Sequence, residues 1–249
     1  MRLHNKVALI TGASSDGIGR AIAVQFAREG ARVAILGRRR SGLEETCRQI
    51  TSIGGDSLIL ETDVSQSETA TINVQKTIDH FGRLDILVNN AGIVLRKTFI
   101  DTRADEFDRI FATNVRGSFF YAQAAAKEMI KQKKGKIIMV SSDTAMTGVP
   151  YRSAYTATKG AILSLTRAIA SELLPYRINV NAIIPGTVET DINRDRIKND
   201  PEYYSEALKN CPLGIGTVND IAPAAVYLAS DETDWMTGQS LVVDGGHLL

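Results

Sequence analysis

The sequence predicts an α/β fold, a parallel sheet covered by helices on both faces, and three observations predict it. Short β-branched and aliphatic runs alternate with longer helical stretches almost from end to end. Several of these runs are continuously apolar rather than alternating, as in parallel strands buried on both faces. The segments between them carry the 3.6-residue period of amphipathic helices. Such alternation implies strands joined by right-handed crossovers. No linker, repeat or low-complexity tract interrupts the chain, so one domain, residues 1–249, is expected.

In order, the strands are expected at Lys6–Thr11, Arg32–Leu36, Ser57–Leu60, Leu84–Val88, Lys136–Val140, Arg177–Ile183 and Ser240–Val243. Ile18, Ile22 and Phe26 put apolar side chains on one helix face, and Gly30 follows as a stop. A second helix covers Leu43–Ile50. Ala154, Ala157, Ala161, Leu165 and Ile169 mark a long one within Ser153–Leu174. Two stretches read as irregular: Ser142–Arg152, and the polar, turn-rich Thr187–Gly216. Long loops in compact domains are usually lids or binding loops. In an open α/β sheet the ligand crevice lies at the carboxyl ends of the strands.

Composition narrows the function classes. The charge is nearly balanced, 29 Lys+Arg against 28 Asp+Glu, which gives no electrostatic reason to expect nucleic acid or an anionic membrane as partner. Two distant cysteines, Cys47 and Cys211, argue against a disulfide framework or a cysteine zinc site. His4, His80 and His247 share no ligand spacing and read as surface or cap residues; no metal is expected. The first residues lack the pattern of a secretory signal, and no apolar run approaches the roughly 20 residues that span a bilayer. A reduced cytoplasmic setting is the expectation.

The first strand runs into Thr11-Gly12-Ala13-Ser14-Ser15-Asp16-Gly17-Ile18-Gly19, and then a helix starts. Glycines there allow a tight turn and close approach to a pyrophosphate at the positive helix N-terminus. A P-loop would need Lys and Ser/Thr after Gly17, and a GxGxxG fingerprint starting at Gly17 fails at Ile22. A purely structural turn is the alternative. About 20 residues on, where an NAD site places an acidic ribose reader, this chain has Gly37-Arg38-Arg39-Arg40. Guanidinium groups suit a 2′-phosphate, so NADP(H) is expected, with Arg38 the best candidate. The competing reading is a solvated basic turn.

Tyr155 and Lys159 lie four apart on the long helix, hence on one face, at the sheet's carboxyl edge. A tyrosine of ordinary pKa near 10 needs a neighbouring cation to move protons near neutrality, and Lys159 is placed to supply it. Alternatively, Tyr packs in the core and Lys snorkels.

With these motifs, the chain resembles the short-chain dehydrogenase/reductase family over essentially its whole length. The ordered set is Thr11-Gly12…Gly17-Ile18-Gly19, Asp63-Val64, Asn89-Asn90-Ala91-Gly92, Asn114-Val115, Ser141-Ser142, Tyr155xxxLys159, Pro185-Gly186-Thr187…Thr190 and Val243-Asp244-Gly245-Gly246. The resemblance implies a doubly wound Rossmann-type fold with a seven-stranded, mostly parallel sheet. It also implies reversible hydride transfer between NAD(P) and an alcohol/carbonyl pair. By this resemblance Tyr155 is the proton donor and Ser142 polarises the carbonyl. Lys159 holds the nicotinamide ribose and lowers the tyrosine pKa, and Asn114 anchors a relay water. Gly12, Ser14, Ser15, Gly17 and Ile18 would face the phosphates, and Asp63 and Val64 the adenine. Asn90 and Gly92 would lie by the adenosine-side ribose. Pro185, Gly186, Val188 and Thr190 would follow the carboxamide and phosphates, with Thr190 a donor. Asn90 and Asp63 have a rival role in tying backbone turns together.

The family usually spaces its glycines as GxxxGxG, whereas four residues separate Gly12 from Gly17 here. The extra residue should bulge the loop and bring the Asp16 carboxylate near the phosphates. Similarity is greatest to 3-oxoacyl-(acyl-carrier-protein) reductase-like members, but Ser171 stands where carrier-protein reductases usually carry arginine. Lys131, Lys133, Lys134 and Lys136 could meet an acidic carrier or simply cap a helix. Arg96 and Arg152 should border the substrate pocket and would suit an anionic or polyhydroxylated substrate. The expected enzyme is an NADP(H)-dependent carbonyl reductase. The alternatives are an NAD-linked sugar or polyol dehydrogenase and a catalytically silent cofactor-binding scaffold. Homotetramers are common in the family.

Overall fold

A computed structural model describes residues 1–249. The apolar runs form β1 (Val7–Thr11), β2 (Arg32–Gly37), β3 (Ser57–Glu61), β4 (Ile86–Asn89), β5 (Gly135–Val140), β6 (Ile178–Pro185) and β7 (Ser240–Val243). They pair in the order β3-β2-β1-β4-β5-β6-β7, and every pairing is parallel, so no antiparallel edge strand is present. The order reverses between β1 and β4, where chain leaving the two strands diverges to opposite sides and opens a crevice.

The helices are α1 (Ile18–Arg28), α2 (Arg40–Ser52), α3 (Thr69–Phe81), α4 (Ala104–Phe111), α5 (Ser118–Gln132), α6 (Ser153–Leu173), α7 (Arg194–Asn199), α8 (Pro201–Lys209) and α9 (Val218–Ala229). β1 shows why its run is continuously apolar. Val7 and Leu9 join one core cluster with α3, α5 and α6, and Ala8 and Ile10 join another with α1, α2 and α9. The clusters hold 27 and 26 buried residues, so neither face of the sheet dominates the core. Tyr121 is fully buried in the first, its hydroxyl accepting from Asn73 Nδ2 at 2.8 Å. No helix is long and apolar enough to cross a membrane.

The stretch expected to be irregular after Thr187 contains two helices. Asp200 caps α8 by accepting from the Tyr203 N–H at 2.9 Å, and Pro201 occupies the first helical turn, where its missing N–H costs nothing. β4 starts two residues later than its apolar run because Asp85 is occupied elsewhere. The Asp85 carboxylate accepts from the Val7 N–H at 2.9 Å and pairs with Arg83.

Candidate active site

A cleft of about 450 Å³ opens at the carboxyl ends of the strands, over the β1–β4 reversal. The glycine turn forms its floor. Gly12 has φ +74°, and a Cβ there would come within 2.8 Å of the Ala91 Cα and of Asn90 Nδ2. The Thr11 hydroxyl accepts from the N–H groups of Asn90 and Ala91, both at 3.0 Å. Asn90 Nδ2 donates to the carbonyls of Thr11 (3.0 Å) and Gly12 (3.2 Å). Asn90 thus braces the two turns and also lines the cleft with Gly92.

The extra loop residue acts differently from the expectation. Asp16 does not line the cleft: its carboxylate pairs with Arg194 at 2.9 Å and Arg20 at 3.7 Å, and its N–H donates to Asp191 Oδ2 at 3.1 Å. Ser14, Ser15, Gly17 and Ile18 remain on the lining. The lengthened loop instead presses on α2, where a Cβ at Gly42 would fall well inside contact distance of the Ser14 carbonyl oxygen. Sequence reasoning missed Gly42 because a glycine in a first helical turn carries meaning only once that carbonyl is located.

The three consecutive arginines separate in role. Arg38 lines the cleft, 62% exposed at its side chain, 3.7 Å from Asp63 Oδ2. Arg39 pairs with Asp191 at 3.2 Å, and Arg40 turns back onto Glu44 along α2. Asp63 and Val64 line the same end, and Asp63 Oδ1 also accepts from the Ser65 N–H at 2.9 Å. Pro185, Gly186, Val188 and Thr190 border the opposite wall. The Thr190 hydroxyl donates to Asn193 Oδ1 and accepts from the Ile192 N–H, both at a long 3.4 Å, so it is weakly engaged within the chain.

Ser142 leaves the end of β5, and Tyr155 and Lys159 come from the first turns of α6. The helical segment between α4 and α5 widens into a π turn at Ala112–Gly117, which carries Asn114. Such bulges recur at functional sites. Asn114 Oδ1 accepts from the Ile93 N–H at 2.8 Å, and its Nδ2 donates to the Ile93 carbonyl (3.0 Å) and Thr158 Oγ1 (3.1 Å). Thr158 in turn donates to the Tyr155 carbonyl at 2.7 Å, so Asn114 fixes the helix turn that bears the tyrosine.

Burial pushes the Tyr155 phenol above its ordinary value; Ser142, Arg152 and Arg96 draw it back, and the Asp143 carboxylate adds to the rise. Lys159, 6% exposed, is lowered to about 8 by desolvation. Its ammonium donates to the Val140 carbonyl at 2.9 Å and lies 5.7 Å from the centre of the Tyr155 ring. The lysine therefore stands beside the ring, and the guanidinium groups of Arg152 and Arg96 also favour the phenolate.

One member of this site was read from the sequence as an ordinary surface or cap residue. His247 is half-buried, and its Nδ1 lies 2.7 Å from Oδ2 of Asp143, itself 5% exposed. The other oxygen, Asp143 Oδ1, accepts from Ser142 Oγ at 2.9 Å and the Thr144 N–H at 2.7 Å. The C-terminal segment thus holds the carboxylate that orients Ser142. Replacing His247 by Ala leaves a buried carboxylate oxygen without its partner, a loss of about 1.5–3 kcal/mol. A urea midpoint lowered accordingly is the expected result, and an unchanged midpoint counts against the contact.

The basic cluster at the end of α5 is mostly paired. Lys131 bonds Glu128, Lys134 bonds Asp231 and Asp234, and Lys136, only 4% exposed, bonds Asp234 at 2.7 Å. Acidic groups near the end of α9 already neutralise the lysines that an acidic carrier would need. Both cysteines are free thiols.

Comparison with known proteins agrees with this geometry. The family model described as enoyl-(acyl carrier protein) reductase matches residues 12–247. An uncharacterized oxidoreductase of Thermotoga maritima is 40% identical over 250 residues, covering 99% of this chain and 98% of its own. The L-rhamnose 1-dehydrogenase (NAD(P)(+)) of a Sphingomonas species is 39% identical over 248 residues, with 98% and 96% covered. The crystal structure of a short-chain type dehydrogenase/reductase from Mycobacterium marinum superposes with a TM-score of 0.93 at 36% identity, covering 99% of this chain and 96% of that one. With its parallel seven-stranded sheet, glycine turn and Tyr155–Lys159 helix, the chain belongs to the short-chain dehydrogenase/reductase family and is an NAD(P)-dependent oxidoreductase acting on alcohol/carbonyl pairs.

Proposed function

We propose that the chain interconverts a secondary alcohol and its carbonyl with NADP(H) as preferred cofactor, using one catalytic unit that spans residues 1–249. The observation that carries this reading is that Ser142, Tyr155 and Lys159 line the same cleft as the glycine turn and Arg38. The narrow approach over Gly12 suits a pyrophosphate, and Arg38 suits a 2′-phosphate. The nicotinamide cofactor supplies or accepts the hydride when bound. The Tyr155 phenol donates a proton to the developing alkoxide in reduction, and its phenolate removes that proton in oxidation. Ser142, its hydroxyl hydrogen turning from Asp143 to the substrate, stabilises charge on the reacting oxygen; Lys159 holds the cofactor's ribose, and Asn114 keeps the Tyr155 turn in place.

A second reading has specific support. Asp63 lies 3.7 Å from Arg38 and is itself a carboxylate at the ribose end, and the L-rhamnose 1-dehydrogenase relative acts with NAD(P)(+). That reading is an NAD-linked sugar or polyol dehydrogenase. Comparing kcat/KM for NADPH and NADH separates the two. NADPH is expected to lead by at least about 10-fold, since a charge-assisted contact is worth roughly 1.5–3 kcal/mol. Arg38→Asp should reverse the order. A parent enzyme that prefers NADH overturns the assignment.

Phe107 and Phe119 on the outer helices and Trp235 near the β7 edge stay exposed, which supports assembly into a homotetramer. The two free thiols fit a reduced cytoplasmic setting. Light scattering on the purified protein tests the assembly.

A further inference from the structure

The cleft carries, beside Tyr155, two guanidinium groups that the fold leaves without a carboxylate. Arg96 follows β4, and Arg152 immediately precedes α6; both line the cleft. Their loops are joined where the Lys97 N–H donates to the Tyr151 carbonyl at 2.8 Å. Their neighbours are paired, Lys97 with Glu106 and Arg196 with Asp200, but neither Arg96 nor Arg152 has an acidic partner within 4 Å. Arg96 Nε is enclosed by protein and bonds to nothing. Its guanidinium leans on the Tyr203 ring, 5.7 Å from the centre, with Arg196 on the same ring at 4.0 Å. Burial and the adjacent Arg152 both work against the charge on Arg96.

Arg152 stands at the N-terminus of a 21-residue helix with no acidic residue in its first turn. The positive helix end therefore adds to the guanidinium instead of opposing it. Nearby carboxylates are already engaged. Asp143 serves Ser142, Thr144 and His247; Asp191 serves Arg39 and Arg194; Asp200 serves Arg196. Both guanidinium groups are only half-buried, but each faces the cleft without a carboxylate and Arg96 Nε is shut off from water, so the pair favours an anion from outside the chain.

We propose that Arg96 and Arg152 receive a carboxylate carried by the substrate, so that the preferred substrates are hydroxy and oxo acids, sugar acids included. The planar fork of guanidinium matches a carboxylate, and the position beside Tyr155 places that anchor within a few bonds of the reacting carbon. The inference rests on the reading of Tyr155 and Ser142 as the reacting groups.

The test uses matched alcohols: 3-hydroxybutyrate against 2-butanol, gluconate against glucitol, with glycerol 3-phosphate as the phosphate arm. For at least one pair the acid should exceed its neutral counterpart in kcat/KM by about 10- to 100-fold, mainly through KM. Arg96→Gln and Arg152→Gln should each cut that acid-to-neutral ratio by about 10-fold. Equal turnover of acid and neutral partners overturns the proposal while leaving the oxidoreductase reading intact, and preference for the phosphate ester overturns the carboxylate. If the arginines serve only to draw down Tyr155, the variants lower kcat for acid and neutral substrates alike and move the pH profile of oxidation to the alkaline side, which also overturns it. Calorimetric titration of gluconate and glucitol into the NADP-loaded Tyr155→Phe variant gives a readout independent of turnover. Tighter binding of gluconate, weakened by either arginine substitution, supports the proposal even if no alcohol is oxidised, an outcome that would instead sink the reacting-group assignment.

Discussion

Replacing Tyr155 by Phe is expected to lower kcat by roughly 10³-fold while leaving cofactor affinity within a few-fold of the parent. The ring stays in place, so the packing of α6 against the cleft wall is preserved and only the hydroxyl is lost. That hydroxyl is the one titratable proton donor of the proposed reacting pair, Ser142 serving by hydrogen bonding alone. Without it the alkoxide formed in reduction has no positioned proton, and the alcohol in oxidation has no base. The glycine turn, Arg38 and Lys159, the proposed cofactor contacts in the same cleft, are not altered by the substitution. Steady-state turnover at saturating cofactor, with a fluorescence titration of NADPH, checks both halves. A variant that keeps more than about a tenth of parental kcat would remove Tyr155 from the proton-transfer role.

The oxidation direction should carry its own signature. Because burial, aided by the Asp143 carboxylate, raises the Tyr155 phenol above its ordinary value near 10 despite Ser142, Arg152 and Arg96, the phenolate fraction of the cofactor-free chain grows only on the alkaline side. Oxidation should therefore speed up as pH rises, and reduction should slow once the phenol is titrated.

The parts of this site written in local pattern were readable from sequence. Strand β1 is apolar at every position because both of its faces are buried, and Thr11-Gly12 follows because the turn needs a positive φ there. Tyr155 and Lys159 are one helical turn apart, so their shared face needs only the 3.6 period. What could not be read depends on chain brought together from far away. His247 and Asp143 are 104 residues apart, and neither neighbourhood hints at the other. Asp16 seemed bound for the phosphates because its captor Arg194, 178 residues on, is invisible from the loop itself. Helix α8 is a different kind of miss. Its Asp200-Pro201 start is a recognisable cap, outweighed by the polar composition around it.

Lys159 provides the sharpest test of whether the site is maintained against the stability of the fold. Its ammonium is almost wholly buried, it bonds to a single carbonyl, and no carboxylate pairs with it. The shift from the ordinary 10.5 to about 8 comes from desolvation alone. A depression of that size corresponds to roughly 3 kcal/mol against the charged folded form at neutral pH. Between pH 8 and 10.5 the unfolded chain binds more protons at this group than the folded one, so this term raises stability as pH increases through that window. Below pH 8 the full cost is present. Lys159→Met, which fills the same space without a charge, should therefore stabilise the cofactor-free protein at pH 7 by on the order of 2 kcal/mol, or about 4–8 °C in Tm. The same variant should lose turnover, since the proposed hold on the cofactor's ribose is then gone. Denaturant titrations of parent and variant at pH 7 and pH 10 check the sign: the gap should be wide at the first and shrink at the second. A variant less stable than the parent at pH 7 would mean that the bond to Val140 outweighs the desolvation of the ammonium, and the lysine would then be a structural asset. The expected result points the other way, to a buried cation retained at the expense of stability because the chemistry requires it.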